Sequence, residues 1–327
     1  MTKKRHHYVP RSYLNSFCNR KGRLHVYLKD NPESALLLAP GSTAFRNYYY
    51  SQPIPAGGSD HDTLENLFST LEGRWPKIVS RFSRSEDVTR DLEDIYAFIA
   101  LQRARVPAAR DAFEVMLAES VKSTMRVLDR AGKLPPMPKG FEDILDKVDV
   151  SIDPHQSIHA MVTMIQGTGM LLDKLGLGCL HNRSDLPFLT SDNPVIWFDP
   201  SVEPESMCPY TVKPQGPIVF MFPVAPTLMI YGHSEIRDRY ARHGFGFAQT
   251  TRDQVEIMNR QICRFAYEAI YASAPGHELM IAEEAHASPV LETSHLPTPK
   301  GFVSVHRHVF GTRSKLPKWR NKVSQEP

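Results

Sequence analysis

The spacing of apolar residues predicts a helical region in the middle of the chain. Over 62–82 the apolar side chains recur every three or four residues, which places them on one face of a helix. A second long helix is predicted after Thr89, and Pro107 should break or kink it before a further helix to about Leu128. The stretch 132–140 holds three prolines between two glycines and reads as a linker.

The next helix has a clear start in the sequence. Asp153 supplies a capping side chain and Pro154 fits the first turn, so a helix is expected from there through Leu172. Gly176 and Gly178 are expected to end it.

Short apolar and β-branched runs predict strands on both sides of this helical region. Before it, 24–28 reads as a strand and 46–50 as a second extended piece. After it, five runs read as strands of a mainly antiparallel sheet: 179–181, 188–190, 195–198, 218–222 and 227–231. The fold class is therefore α+β, with a helical central region, a mainly antiparallel sheet from the C-terminal half and a small N-terminal β-layer.

These elements predict one α+β domain over 1–292. It is helix-rich over 60–175, strand-rich over 176–235 and closed by a helix over 252–271, while 199–217, with five prolines, is a long loop. The remaining residues, 293–327, are expected to form a basic, flexible tail.

Composition is that of a globular protein, with 41% hydrophobic and 23% charged residues among 327. No apolar run is long enough to span a membrane, and no apolar stretch follows the charged N-terminus to form a signal peptide, so a cytoplasmic protein without membrane contact is expected. The four cysteines are far apart and form no Cys-x-x-Cys pair, so reduced thiols are predicted.

The net charge of +3 is unevenly distributed. Residues 1–23 and 293–325 each carry seven Lys or Arg and no acid. The rest of the chain, without these two ends and Glu326, contains 25 of the 39 basic residues and 35 of the 36 acidic ones, and is therefore acidic. The basic ends could bind nucleic acid through its phosphates, or they could be solvated termini.

The first candidate for chemistry is the segment His-His-Tyr-Val-Pro-Arg, in which His6 and His7 precede Arg11. Three interpretations stay open for the histidines: they bind a divalent metal ion together with Asp192 or a glutamate, one of them acts as a general acid or base, or both anchor the first turn. The planar guanidinium of Arg11 suits phosphate and carboxylate equally.

The helical region contributes polar residues that the helix period directs toward its apolar side. Gln102 and Arg105 both fall at such positions, and a buried guanidinium needs a partner. Glu65 and Glu72, seven residues apart, are candidate counter-ions for Arg105 or Arg11. The set is either a salt-bridge network that ties the helices to the N-terminal segment or part of a ligand site.

A further polar group lies downstream in Ser-Asp-Asn-Pro at 191–194. Asp192 and Asn193 before a proline suit a tight turn, but a carboxylate at a strand end also suits a catalytic or metal-binding role. His155 and His159 have the spacing of a metal pair, yet Gln156 replaces the glutamate of a His-Glu-x-x-His motif, and a surface pair is favoured. The phosphate-loop, dinucleotide-binding and nucleophile-elbow motifs are absent from the sequence.

These separated motifs resemble those of a widespread, mainly bacterial family catalogued as a domain of unknown function. The resemblance rests on His-His-Tyr-Val-Pro-Arg-x-Tyr-Leu at 6–14, the Glu65 to Glu72 helix, Gln102 with Arg105-x-Pro, and Leu-Thr-Ser-Asp-Asn-Pro at 189–194. It implies that the motifs belong to one domain and converge at one pocket, and it brings no established activity.

The leading hypothesis is a phosphodiester-cleaving, nuclease-like hydrolase. His7 would act as general acid or base, Asp192 would bind a metal or orient water, and Arg11 and Arg105 would hold phosphate. The alternative is a non-catalytic module that binds nucleic acid or protein, with the motif residues as a structural polar core. The candidate residues are His6, His7, Glu65 and Asp192 for catalysis, and Arg11, Gln102, Arg105 and Asn193 for substrate binding.

Overall fold

The computed structural model describes residues 4–55, 57–136, 138–141, 144–240, 245–299 and 301–313. Its helices are α1 (Arg11–Leu14), α2 (Thr63–Glu72), α3 (Trp75–Ser83), α4 (Leu92–Arg105), α5 (Pro107–Arg130), α6 (Ile144–Lys147), α7 (Pro154–Leu172), α8 (Arg237–Tyr240), α9 (Arg252–Phe265) and α10 (Glu278–Glu284). None of these helices is both long and apolar enough to cross a bilayer.

The strands pair mainly in antiparallel fashion, which with the helices confirms the α+β class. They are β1 (Arg5–His7), β2 (Leu24–Leu28), β3 (Asn31–Leu38), β4 (Phe45–Asn47), β5 (Gln52–Pro53), β6 (Ser59–Asp60), β7 (Gly176–Asn182), β8 (Thr190–Ser191), β9 (Ile196–Phe198), β10 (Val219–Ala225), β11 (Leu228–His233), β12 (Gly246–Thr250), β13 (Ala269–Ala272), β14 (Ser288–Thr298) and β15 (Gly301–Gly311).

Two larger sheets organise the strands. The five-stranded sheet has the order β12-β7-β11-β10-β9, in which only the β12–β7 pair is parallel among the described strands. The four-stranded sheet has the order β3-β2-β13-β8, so N-terminal strands pair directly with strands from the C-terminal half. The strand of the N-terminal motif, β1, lies outside this sheet and pairs with β4.

An aromatic cluster joins the N-terminal segment to the helices and the five-stranded sheet. Trp75 of α3 stacks on Phe98 of α4, with ring centroids 4.0 Å apart, and Tyr13 of α1 stacks on Phe222 of β10 at 5.4 Å. The hydroxyl of Tyr13 lies 2.6 Å from the Thr190 hydroxyl and donates to the carbonyl of Pro223 at 2.6 Å. Helix α1 is therefore fixed in the core by residues far along the sequence.

Several predicted boundaries are wrong. The helix predicted over 62–82 is two helices, which meet at Gly73 and Arg74. The extended piece over 46–50 ends at Asn47, where Tyr48 enters the left-handed region with φ of 55°. Gly176 and Gly178 do not end the preceding helix, which stops at Leu172, but lie in β7.

The helix predicted over 252–271 ends at Phe265. Ala266 has extended backbone angles, and the apolar run that follows is β13, buried between β2 and β8. A short buried apolar run fits a helix or a strand equally well, and here neighbouring strands decide the outcome.

Part of the predicted flexible tail is an ordered hairpin. Strands β14 and β15 pair over their whole length, with Ser288 opposite Gly311 at one end and Thr298 opposite Gly301 at the other. They pack along α5, where the hydroxyl of Ser304 lies 3.2 Å from that of Ser123. The alternation of Val303, Val305 and Val309 with polar neighbours is a strand pattern that the positive charge of this segment obscured. Residues 314–327 of the predicted tail lie outside the described residues.

Gly176, at the start of β7, packs closely against the backbone of Ile236. A Cβ added there would overlap the carbonyl oxygen of Ile236 and lie 2.6 Å from its carbonyl carbon, and both are backbone atoms. We expect Gly176→Ala to lower the free energy of unfolding by about 2–3 kcal/mol, since overpacking costs this much. Gly169→Ala is the control for a methyl group that meets nothing within 4 Å, and because Gly169 lies in α7 we expect this variant to be as stable as the wild type or up to about 1 kcal/mol more stable. Urea denaturation of both variants measures the difference, and equal stabilities would contradict it.

Candidate active site

The N-terminal motif forms one wall of an open pocket of about 480 Å³. Strand β1 pairs with β4, which turns Arg5 and His7 to the same side and directs His6 inward. Pro10, extended at φ −60°, precedes α1, whose first residue is Arg11. The pocket is lined by Arg5, His7, Arg11, Gly41, Glu65, Ser69 and Glu72.

His7 supplies the imidazole of this pocket. Its Nε2 atom is buried and has no hydrogen-bond partner among the described residues. Burial, together with the positive charges of Arg11 and Arg105, lowers the pKa of His7 to about 4, although a hydrogen bond with the Gly41 backbone and the charge of Glu72 act in the opposite direction. The imidazole is therefore neutral at pH 7 and its free nitrogen can accept a proton.

The cations of the pocket are available for an anion. Arg11 is exposed and forms no ion pair within the described part of the chain. Arg5 is also exposed, and its guanidinium lies 4.7 Å from the centre of the Phe45 ring. Because both arginines line the pocket that contains His7, a phosphate or carboxylate there would meet two guanidinium groups and a neutral imidazole.

Arg105 and Gln102 lie beneath the pocket in a buried hydrogen-bond network. Both are 1% exposed. Arg105 forms an ion pair with Glu72 at 2.7 Å and donates to the backbone carbonyls of His7 at 2.8 Å and Tyr8 at 3.0 Å. Gln102 donates to the same Tyr8 carbonyl at 3.0 Å. Glu72 is thus the counter-ion of Arg105, as one of the two predicted alternatives has it. The network ties α2 and α4 to the N-terminal motif.

His6 is buried away from the pocket. Its Nδ1 atom accepts a hydrogen bond from the Tyr50 backbone N–H at 2.9 Å, and its ring stacks on that of Tyr50 with centroids 5.7 Å apart. His6 therefore stabilises the turn after β4. It points away from the pocket because neighbouring side chains of a strand point to opposite faces.

Asp192 is fully buried in a separate polar group. Its carboxylate oxygens accept from the backbone N–H groups of Tyr267 at 2.8 Å and Glu268 at 2.7 Å, and its own N–H donates to Ala269 at 3.0 Å. Burial, with the charge of Glu268, raises the pKa of Asp192 to about 7, although the backbone N–H donors lower it. This side chain fixes the turn between α9 and β13.

Asn193 continues this group. Its amide nitrogen donates to the carbonyl of Phe265 at 2.8 Å and to the hydroxyl of Tyr210 at 2.5 Å. The Ser-Asp-Asn-Pro motif thus terminates helix α9 and orients the Tyr210 ring, and neither Asp192 nor Asn193 reaches the pocket of His7.

The structure therefore divides the predicted site. His7, Arg11 and Glu65 line one pocket, with Gln102 and Arg105 beneath it, while His6, Asp192 and Asn193 are sealed elsewhere. Among the described residues, no group of three or more His, Cys, Asp or Glu side chains is arranged to hold a metal ion. All four cysteines are free thiols.

Sequence reasoning missed two residues of this pocket that a periodic pattern could have indicated. Arg5 lies two residues before His7 and so shares its face of the strand. Ser69 lies four residues after Glu65 and three before Glu72, on the same face of α2. Gly41 lies in a 3₁₀ turn over Pro40–Ser42, and no periodic pattern points to it.

One family model matches most of the chain. The family model DUF4238, described as a protein of unknown function, matches residues 5–275, a range that contains every candidate residue. No curated protein and no solved structure matches the chain. Because the match spans most of the 327 residues, the chain belongs to the DUF4238 family.

Proposed function

We propose that this protein is a phosphodiester-cleaving hydrolase whose reaction takes place in the pocket of His7. The observation that carries the proposal is the neutral imidazole of His7, whose buried Nε2 has no partner among the described residues, in a pocket walled by Arg5 and Arg11. A general base needs a free, unprotonated nitrogen beside the bound substrate, and phosphate oxygens need cationic donors.

The roles follow from the chemistry of these side chains. Arg5 and Arg11 bind the phosphate oxygens, and Nε2 of His7 takes a proton from the attacking water as its oxygen bonds to phosphorus. The ester P–O bond breaks, and the leaving oxygen takes a proton from solvent. Glu65, which also lines the pocket, orients the water in this proposal. Asp192 has no role in this proposal, since its carboxylate accepts from the backbone N–H groups of Tyr267 and Glu268 outside the pocket.

Nucleic acid is the proposed substrate class because the N-terminal end is basic. The described part of the C-terminal end supports it less, since Arg307 lies 3.7 Å from Glu292 and Arg313 pairs with Asp30. The N-terminal arginines are thus the ones we assign to phosphate contact.

The test is a cleavage assay with bis(p-nitrophenyl) phosphate and with single- and double-stranded DNA and RNA, in Mg²⁺, Mn²⁺ or EDTA. We expect His7→Gln to lower kcat/KM by about 10²- to 10⁴-fold, the usual contribution of a general base. His159→Gln on the exposed face of α7 is the matched control.

For the free enzyme, kcat/KM should be constant above about pH 5 and fall as pH drops through 4, because protonated His7 cannot accept a proton. Absent cleavage, or equal cleavage by His7→Gln, would sink the proposal.

A non-catalytic binding module is the second candidate, and one observation favours it. Most candidate residues form hydrogen bonds to the backbone in the sealed interior, as a structural polar core would. This candidate expects the same pocket to bind nucleic acid without cleavage. Affinity should then fall steeply with salt, and Arg11→Gln should reduce the slope of log K against log salt by about 0.7–0.9, the contribution of one phosphate contact.

A further inference from the structure

A second cavity, separate from the pocket of His7, lies between α4, α5, α7 and the β14–β15 hairpin. Its volume is about 390 Å³. Arg103, Trp197, Tyr210 and His308 form one cluster in its lining, in which the Arg103 guanidinium lies against the rings of Trp197 and Tyr210 and His308 packs on Tyr210. Most of the other lining residues are apolar and include Met116 and Met164. The cavity therefore combines a charged group with apolar walls, which suits an amphiphilic molecule.

Arg103 is the unusual residue of this cavity. It is 6% exposed, and its Nε and Nη1 atoms have no hydrogen-bond partner among the described residues. It also forms no ion pair with any carboxylate in that part of the chain. By contrast, Arg105 on the same helix and Arg110 on the next are equally buried and donate to several acceptors each.

Two aromatic rings hold the Arg103 guanidinium. It lies 3.9 Å from the centre of the Tyr210 ring and 5.3 Å from that of Trp197. Aromatic faces attract a cation, but they accept no strong hydrogen bonds. A guanidinium does not lose its charge on burial, so its N–H groups need an anionic acceptor that the described residues do not supply.

The surrounding polar groups are fixed in place. The Tyr210 hydroxyl accepts from Asn193 at 2.5 Å, and Tyr210 has a left-handed backbone with φ of 58°. His308 has a buried Nδ1 without a hydrogen-bond partner in the described structure, and burial beside Arg103 lowers its pKa to about 4. A neutral imidazole there can share a hydrogen bond with a ligand oxygen without adding a second positive charge.

We propose that this cavity binds a monocarboxylate with an apolar body. The carboxylate pairs with Arg103 between Trp197 and Tyr210, next to His308, and the apolar body lies against the two methionines. A single cation matches a single negative charge, whereas a phosphate dianion or a nucleotide would leave charge unpaired in an apolar cavity. Methionines adapt their shape to different apolar groups, so the body can be a chain or a ring.

The test uses sodium octanoate as the probe, with 1-octanol and octylamine as neutral and cationic controls, in calorimetric titrations of the full chain. We expect octanoate to bind at one site per chain and to raise the Tm, while the two controls bind at least tenfold more weakly. Arg103→Met keeps the length of the side chain and removes its charge, and it should weaken octanoate binding at least tenfold.

A second pair of variants separates loss of the site from loss of the fold. Gly167 and Gly169 lie on α7, and a Cβ on either meets nothing within 4 Å, but only Gly167 lines the cavity. Gly167→Leu should fill the cavity and abolish octanoate binding, while Gly169→Leu should bind as the wild type does. The proposal is overturned if octanoate does not bind, if octanol binds equally well, or if a folded Arg103→Met or Gly167→Leu retains full affinity.

Discussion

Replacing Asp192 by alanine should lower the free energy of unfolding by about 3–5 kcal/mol. The carboxylate accepts two backbone hydrogen bonds in the sealed interior, from Tyr267 and Glu268. Its removal leaves two buried N–H groups without acceptors, each costing about 1–3 kcal/mol. Urea denaturation measures the loss, with Asp185→Ala as the control, because the Asp185 side chain is 82% exposed and its ion pair should contribute less than 1 kcal/mol. An unchanged midpoint in Asp192→Ala would contradict a structural role for the motif.

The same residue should make stability depend on pH in an unusual direction. Its pKa is about 7 in the folded protein against 3.8 as the ordinary value. The folded state therefore retains the Asp192 proton at pH values where the unfolded state has lost it. The stability that this proton contributes is fully present below about pH 4 and is lost as pH rises through 7. The difference in stability between the wild type and Asp192→Ala should be larger at pH 5 than at pH 8.

Two buried arginines on α4 should respond in opposite ways to the same substitution. Arg105→Met should cost about 3–5 kcal/mol, because the His7 carbonyl loses its side-chain donor, the Tyr8 carbonyl keeps only the donor from Gln102, and Glu72 loses its partner. Arg103→Met should change stability by less than about 1 kcal/mol or increase it, since no carboxylate or carbonyl of the described residues depends on Arg103 and the buried charge is removed.

The two variants are matched in burial, helix and chemistry, so their difference isolates the hydrogen-bond partners. Thermal and urea denaturation of both proteins in the absence of carboxylates provides the comparison. Equal losses would mean that packing of the long side chain, and not its polar contacts, determines stability at both positions.

The sequence predicts what depends on local periodicity. Helix spacing directs Gln102 and Arg105 to the packed side of α4, and both are buried there. It also makes Glu65 and Glu72 candidate counter-ions, and Glu72 pairs with Arg105. Asp192 is recognisable as a turn residue, but its acceptor role depends on Tyr267 and Glu268, 75 and 76 residues downstream.

What the sequence does not predict depends on distant segments that meet in space. The Arg103 cavity combines helices, a loop and the hairpin, and Arg103 lies on a helix buried on nearly all sides, where no polar face distinguishes one arginine from another. The hairpin was missed because its positive charge masked the strand alternation. The division of His6 from His7 follows only once β1 is known to be a strand.

The anchoring of Tyr13 also sets an order of events during synthesis. Its hydroxyl partners lie 177 and 210 residues further along the chain. At a ribosomal rate of about 5–20 residues per second, Pro223 is added about 10–40 s after Tyr13. Tyr13 leaves the ribosome early, but it lacks its acceptor until Pro223 of β10 has been added. In a nascent chain stopped before residue 223, α1 is therefore without the hydrogen bond that ties it to the five-stranded sheet.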